Sequence, residues 1–79
     1  MKRLKLTSLI WREENGYVSK CPELGVASAG DSVEEALANL KEAVELYLDN
    51  AYELGILNDL QVTLEAEKFA SSFEVETRW

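Results

Sequence analysis

The stretch of sequence that decides the fold covers residues 17–48 and reads YVSKCPELGVASAGDSVEEALANLKEAVELYL. Residues 17–21 and 26–29 have strand composition, and Pro22 and Gly25 mark the turn between them, since proline cannot continue a strand ladder and glycine tolerates a turn. After Gly30 and Asp31, Ser32 and Glu35 have the spacing of a capping box. The sequence therefore predicts two strands followed by a helix that begins at residue 33.

The predicted helix is strongly amphipathic. Its apolar residues fall on one side when plotted at about 100° per residue, and we expect that side to pack on the sheet. Ala36 and Ala43 lie at the edge of the stripe, and Gly55 offers the left-handed conformation that ends many helices. The stripe consists of Val33, Leu37, Leu40, Val44, Tyr47, Leu48, Ala51 and Leu54.

Residues 4–11 alternate at strand period and predict a first strand, paired antiparallel with residues 17–21 through a hairpin. Asn15-Gly16 is expected to supply the positive backbone dihedrals of a tight turn. One face of the first strand is mixed in polarity and is expected to stay partly apolar and available for a symmetric dimer or a partner, and we favour the dimer. This candidate oligomer interface consists of Lys5, Thr7, Leu9 and Trp11.

The pattern weakens after residue 56. Residues 61–65 are interpreted as a short strand or an extended link, and residues 72–78 as a final strand. A strand reached across a helix from the same sheet is expected to lie parallel to its neighbour, here the first strand. The predicted fold class is therefore α+β in the order βββαβ, with an antiparallel three-stranded sheet, one helix on one face and a final strand that joins the sheet.

Length and composition indicate a single small domain covering residues 1–79. An apolar fraction of 47% with 29% charged residues is typical of a folded soluble protein, and no apolar run approaches the roughly 20 residues of a membrane span. The first residues are too few and too charged for a secretory signal, so we expect cytoplasmic residence. Cys21 has no partner within the chain, which favours a small buried apolar role and leaves a crosslinked dimer open.

Charge is distributed unevenly along the chain, whose net charge is −7. Residues 1–22 carry five basic and two acidic side chains, whereas the remainder carries three basic and thirteen acidic ones. A phosphate backbone would be repelled by most of this surface, so autonomous nucleic-acid binding is not expected. A basic protein partner is favoured instead.

The residues offer no catalytic constellation. Acyl transfer by Cys21 would need a base, and the chain has no histidine. A carboxylate metal site for phosphodiester cleavage would need converging acids, whereas the acids here line a solvated helix face and the predicted first strand carries none. We therefore expect no enzyme activity, no catalytic residue, no cofactor and no metal site, and residual nuclease activity is the least favoured function.

The order of these elements and the stretch GYVSKCPELGVASAGDSVEEALANLKEAVELYL resemble the HicB-like antitoxin family. The resemblance implies a short member with a partial ribonuclease-H-like fold that has lost its catalytic carboxylates, in agreement with the acid-free predicted first strand. The closing SSFEVET also looks like the last strand of short members. The matching positions are Gly16, Tyr17, Val18, Cys21, Pro22, Glu23, Gly30, Asp31, Ser32, Glu34, Glu35, Ala36, Asn39, Leu40, Glu42, Ala43, Leu46, Tyr47 and Leu48.

The resemblance further implies an antitoxin that binds a small basic HicA-type toxin, an RNA-cleaving protein, and occludes its active surface. Larger members add a DNA-binding domain, but residues 56–79 contain no second amphipathic helix, so autonomous operator binding is not expected. The alternative is a stand-alone homo-oligomer with a structural or scaffolding role and no toxin partner. Leu46 lies outside the apolar stripe, where a single exposed leucine is commonplace and a partner contact is the minority interpretation. The candidate toxin contacts are Glu34, Glu35, Glu42, Glu45 and Leu46.

Overall fold

The fold is α+β: a three-stranded antiparallel sheet carries one long helix on one face, and a short second helix follows. A computed structural model describes residues 3–79. The sheet order is β1-β2-β3, so β2 is the central strand and β1 and β3 are the edges. This confirms the predicted class and the three-stranded sheet. The elements are β1 (Leu9–Glu13), β2 (Gly16–Cys21), β3 (Val26–Gly30), α1 (Val33–Glu53) and α2 (Leu57–Glu65).

The first hairpin differs from its prediction in two respects. β1 begins at Leu9 and ends at Glu13, so the strand predicted over residues 4–11 is displaced toward the turn and does contain an acid. Asn15 and Gly16 do not adopt positive φ; within residues 3–79 only Gly25 and Gly55 do. The reason is that Gly16 already belongs to β2, where it pairs with Glu13.

Gly16 is required for close packing and not for turn geometry. A Cβ atom on this residue would lie 2.8 Å from the carbonyl oxygen of Gly30 on the neighbouring strand. The β2–β3 connection behaves as predicted, since Gly25 has a φ of 70° and its amide donates to the carbonyl of Cys21 at 2.9 Å. Gly25 thus closes the β2–β3 turn. Gly16, at the start of β2, instead allows the close approach of that strand to Gly30 on β3.

Both ends of α1 are as predicted. The amide of Glu35 donates to Ser32 Oγ at 3.1 Å, and Glu35 Oε1 accepts from the amide of Asp31 at 3.2 Å. At the other end Gly55 has a φ of 74°, its amide donates to the carbonyl of Tyr52, and the next amide reaches back to the carbonyl of Ala51. This is the paired hydrogen-bond pattern of a glycine-terminated helix.

The face by which α1 packs on the sheet is rotated relative to the predicted stripe. Ala36, which was placed at the edge of the stripe, is fully buried, whereas Val33 and Leu37 are 44% and 46% exposed. The cause is a close approach at Gly30, where an added Cβ would lie 2.5 Å from the backbone nitrogen of Ala36. Gly30 and Ala36 therefore form the closest contact between the sheet and α1. This contact turns the larger Val33 and Leu37 toward one side of the interface, where both remain partly exposed.

Residues 57–65 form α2, so the predicted short strand or extended link at residues 61–65 is wrong. Leu57, Leu60 and Leu64 recur at helical spacing, and Leu64 is buried at the end of the helix. Their placement on one side allows α2 to pack beside α1. The expectation that residues 56–79 contain no second amphipathic helix is therefore also wrong. The helical spacing of these three leucines could have predicted α2 from the sequence, and the strand interpretation overlooked it.

Residues 66–79 contain no helix or strand, so the final strand predicted over residues 72–78 is not formed in the single chain. Phe73 is 86% exposed and Val75 is 70% exposed. The radius of gyration is 14.9 Å, against about 12 Å for a compact chain of this length. The chain is therefore less compact than its length requires, and Phe73 and Val75 add apolar side chains that the folded body does not cover.

Candidate functional site

The sheet face beneath α1 is closed by specific polar contacts as well as by packing. Ser19, at the centre of β2, is fully buried, and its hydroxyl donates to the carbonyl of Ala36 at 2.9 Å. Asn39 Nδ2 donates to the carbonyl of Ala29 on the edge strand β3 at 2.8 Å. These two bonds fix the rotation and the height of α1 above the sheet.

Cys21 lies on the same covered face and is 1% exposed. Burial raises the pKa of its thiol, which donates to Glu23 Oε1 at 3.5 Å. Burial also opposes ionisation of Glu23, but hydrogen bonds from its own amide and from Thr7 outweigh it, so the pKa of Glu23 lies below its ordinary value. Cys21 is accordingly a protonated buried thiol, which matches the small apolar role expected for it.

The other side of the sheet carries no helix. In the β1–β2 register Ile10 pairs with Ser19 on the covered side, so the alternate residues Leu9 and Trp11 point to the opposite side. We call this surface the open sheet face. Leu9 is 46% exposed and Trp11 is 41% exposed. Its apolar members are Leu9, Trp11, Val18, Ala27 and Ala29.

The structure separates the four predicted oligomer-interface residues into two pairs. Leu9 and Trp11 lie in β1 on the open sheet face, but Lys5 and Thr7 precede the strand. The amide of Thr7 donates to Glu23 Oε2 at 2.8 Å, which ties this part of the chain to the β2–β3 turn. Lys5 is exposed and belongs to no strand ladder. The alternation assumed to start at residue 4 begins only at Leu9, so Lys5 and Thr7 are not part of this face.

The outward side of α1 holds most of the predicted toxin contacts. Glu34, Glu42 and Glu45 are exposed, and Leu46, within about one turn of Glu42 and Glu45, is 62% exposed. We call these four residues the acidic helix face. Glu35 is also exposed, but its carboxylate holds the amide of Asp31 in the helix cap, so its first role is structural.

Sequence reasoning missed the contributions of the central and third strands to the open sheet face. Val18 pairs with Trp11 across β1 and β2 and with Ala29 across β2 and β3, which places all three on one side. The period-two alternation of residues 26–29 contained this information, because Ala27 and Ala29 must face away from Val26 and Ser28. The small size of Ala27 and Ala29 leaves room for a bulky side chain above them.

Within residues 3–79, no helix is long and apolar enough to cross a membrane. Residues 5–68 match a family described as a family of unknown function, DUF7387. The chain belongs to the DUF7387 family. The matched region includes the whole sheet, α1 and α2, and with them the open sheet face and the acidic helix face.

Curated relatives of this DUF7387 chain are proteins named UPF0150. A UPF0150 protein of Helicobacter pylori is 48% identical over 56 residues, which cover 67% of this chain and 78% of the relative. The UPF0150 protein ssr1765 of Synechocystis sp. is 46% identical over 46 residues, covering 56% of this chain and 58% of that protein. No solved structure matches the chain. These names state no activity, so the HicB-like resemblance remains a prediction.

Proposed function

We propose that this protein is an antitoxin-like binding protein that occludes a small basic RNA-cleaving toxin of the HicA type. The observation that carries the proposal is the acidic helix face, where Glu42 and Glu45 lie within about one turn of the exposed Leu46 and Glu34 lies nearer the start of the same helix. The resemblance to HicB-like antitoxins indicates which partner to expect, namely a HicA-type toxin. A toxin that binds RNA needs a basic surface, which the acidic helix face would complement.

In this proposal the acidic side chains and the single apolar side chain of Leu46 contribute to binding in different ways. The net charge of −7 draws a basic partner toward the chain and raises the rate of encounter at low salt. Acids at the rim of an interface govern that rate and its salt dependence, whereas a desolvated apolar side chain governs the lifetime of the complex. Leu46, at 62% exposure, is suited to the second task.

The fixed position of α1 supports occlusion by a rigid surface. Ser19 and Asn39 bond the helix to the sheet, and both of its ends are capped. A partner therefore meets a face that is already ordered, so little conformational entropy is lost on binding. The HicB-like interpretation of the order β1, β2, β3, α1 as part of a ribonuclease-H-like fold belongs to this proposal.

In this proposal the protein acts by covering a partner and carries out no reaction, and it does so in the cytoplasm without binding nucleic acid alone. The buried, protonated Cys21 agrees with residence in a reducing compartment. The chain's acidic balance opposes direct binding to a phosphate backbone.

The test is co-purification with the small basic product of a neighbouring reading frame, followed by charge reversal. The variant Glu42→Lys/Glu45→Lys should shorten the half-life of the complex and weaken inhibition of RNA cleavage at least about tenfold. The control Glu14→Lys/Glu67→Lys changes the net charge equally at exposed positions outside α1. Equal behaviour of the two variants, or no complex with any such product, would reject the proposal.

A second candidate function is a stand-alone homo-oligomer of structural or scaffolding role. The open sheet face favours it, because Leu9 and Trp11 expose apolar area on β1, and β3 carries the small Ala27 and Ala29 on the same face. Two copies related by a twofold axis could set the large residues of one over the small residues of the other. A wild-type protein that is monomeric by light scattering at micromolar concentration would exclude this function.

A further inference from the structure

Residues 72–78 have the sequence of a strand but no strand partner in the single chain. Phe73, Val75 and Thr77 alternate with Glu74, Glu76 and Arg78, which is the pattern of a half-covered strand. Phe73 and Val75 are 86% and 70% exposed, and residues 66–79 form no helix or strand. The segment therefore exposes apolar area and strand-forming backbone that the folded body does not cover.

A matching vacant edge exists on β1. Of the two edge strands, β3 is engaged by α1, because Asn39 Nδ2 donates to the carbonyl of Ala29. Within residues 3–79, only β2 hydrogen-bonds to the backbone of β1. An unprotected edge strand presents a row of free donors and acceptors that readily accept another strand.

We propose that residues 72–78 of one copy of this chain pair, as an added strand, with the outer edge of β1 in a second copy. The exchange is reciprocal, so a twofold dimer closes both vacant edges with the same contact. This inference concerns a different surface from the acidic helix face and does not depend on a toxin partner.

The position of the segment favours this edge. Residues 68–71 line a shallow cavity together with Thr7 and Leu9, so the chain passes the start of β1 just before residues 72–78. Residues 72–78 form no ladder with their own β1, and all of residues 69–79 are exposed. A second copy brought to this end of the sheet would find the segment accessible.

Charge complementarity supports the same pairing. Residues 3–13, which end with β1, carry Arg3, Lys5 and Arg12 against Glu13, a balance of +2, whereas residues 72–78 carry Glu74 and Glu76 against Arg78, a balance of −1. Opposite charges on neighbouring strands stabilise their pairing, and like charges oppose it. Two copies of the basic edge would repel each other, so the acidic segment is a better occupant of that edge than a second β1.

The decisive experiment asks which copy supplies the strand. In an equimolar mixture of isotope-labelled and unlabelled full-length protein, filtered nuclear Overhauser spectra should show contacts between residues 72–78 of one copy and β1 of the other. Contacts confined to a single copy would mean that the segment pairs with its own β1, and their absence would mean that it pairs with neither. Either result overturns the proposal.

A proline pair provides the second readout. Because alternate amides of a strand face opposite sides, the double variant Val75→Pro/Glu76→Pro removes one amide that faces β1 whichever residue is in register. It should raise the dissociation constant of the dimer at least about tenfold by light scattering. Ser71→Pro lies just before the paired segment and should leave that constant within about twofold. Because residues 71, 75 and 76 are exposed outside any element, both variants should keep the wild-type circular dichroism spectrum. A Val75→Pro/Glu76→Pro dimer as tight as the wild type would also reject the exchange.

Discussion

The two faces of the sheet are built from the same three strands, but only one of them is covered. On the covered face, Ala36 brings the helix backbone close over the small Ser19 and Cys21, and the larger Ile10 and Tyr17 lie on the same side. On the open sheet face, Leu9 and Trp11 are partly exposed and no helix lies over them. The covered face therefore fits a helix of the same chain. The open sheet face exposes apolar side chains that no described part of the chain covers.

The largest effect is expected where the covered face is tightest. Gly30→Ala would place a Cβ 2.5 Å from the nitrogen of Ala36, and backbone cannot yield cheaply, so the free energy of unfolding should fall by about 3 kcal/mol. Ala27→Val adds volume to the open sheet face and should change it by less than about 0.5 kcal/mol. Urea unfolding of both variants measures the contrast, and similar losses would break the distinction between the faces.

The second effect concerns association and not folding. Trp11→Ala should weaken self-association by about 2 kcal/mol, or roughly thirtyfold in the dissociation constant, because a large aromatic side chain anchors the open sheet face. Tyr52→Ala removes an exposed aromatic side chain from α1, outside the open sheet face, and serves as the control. Light scattering across a dilution series distinguishes them. An oligomer unchanged by Trp11→Ala would show that this face is not the interface.

Loss of the buried hydroxyl on the covered face should have a moderate effect. Ser19→Ala removes the bond to the carbonyl of Ala36 and should lower the free energy of unfolding by about 1 kcal/mol. Ser8→Ala, at an exposed position, should be neutral. If the two variants unfold alike in urea, the hydroxyl does not help to hold α1 on the sheet.

The smallest effect is a pH dependence at the margin of the covered face. The pKa of Glu23 is lower in the folded protein than in the unfolded chain, so its contribution to stability is present above the unfolded pKa near 4.5 and is lost as the pH falls through the folded pKa. Glu23→Gln should therefore flatten the acid side of the stability profile, by about 0.5 kcal/mol or less. Glu14→Gln should retain the wild-type slope, and parallel profiles for wild type and Glu23→Gln would contradict the prediction.

Features set by neighbouring residues were predictable from the sequence. The Ser32–Glu35 cap and the Gly55 stop were correct because their hydrogen bonds close within one turn of helix. The strand at residues 61–65 was wrong because the helical spacing of Leu57, Leu60 and Leu64 was overlooked. For the candidate oligomer interface, the alternation of residues was enough to place Leu9 and Trp11 on one face. Lys5 and Thr7 could be excluded from that face only once the structure showed that β1 begins at Leu9.

By itself, the sequence determined the α+β class, the order of the first four elements, the two ends of α1 and the acidic outward side of that helix. Each depends on local backbone preference or on a periodicity of side chains. Only the tertiary structure decided which side of α1 meets the sheet, because the close approach of Gly30 to Ala36 joins residues on different elements. It also decided that residues 72–78 find no partner in one chain, since strand pairing depends on an edge elsewhere in space.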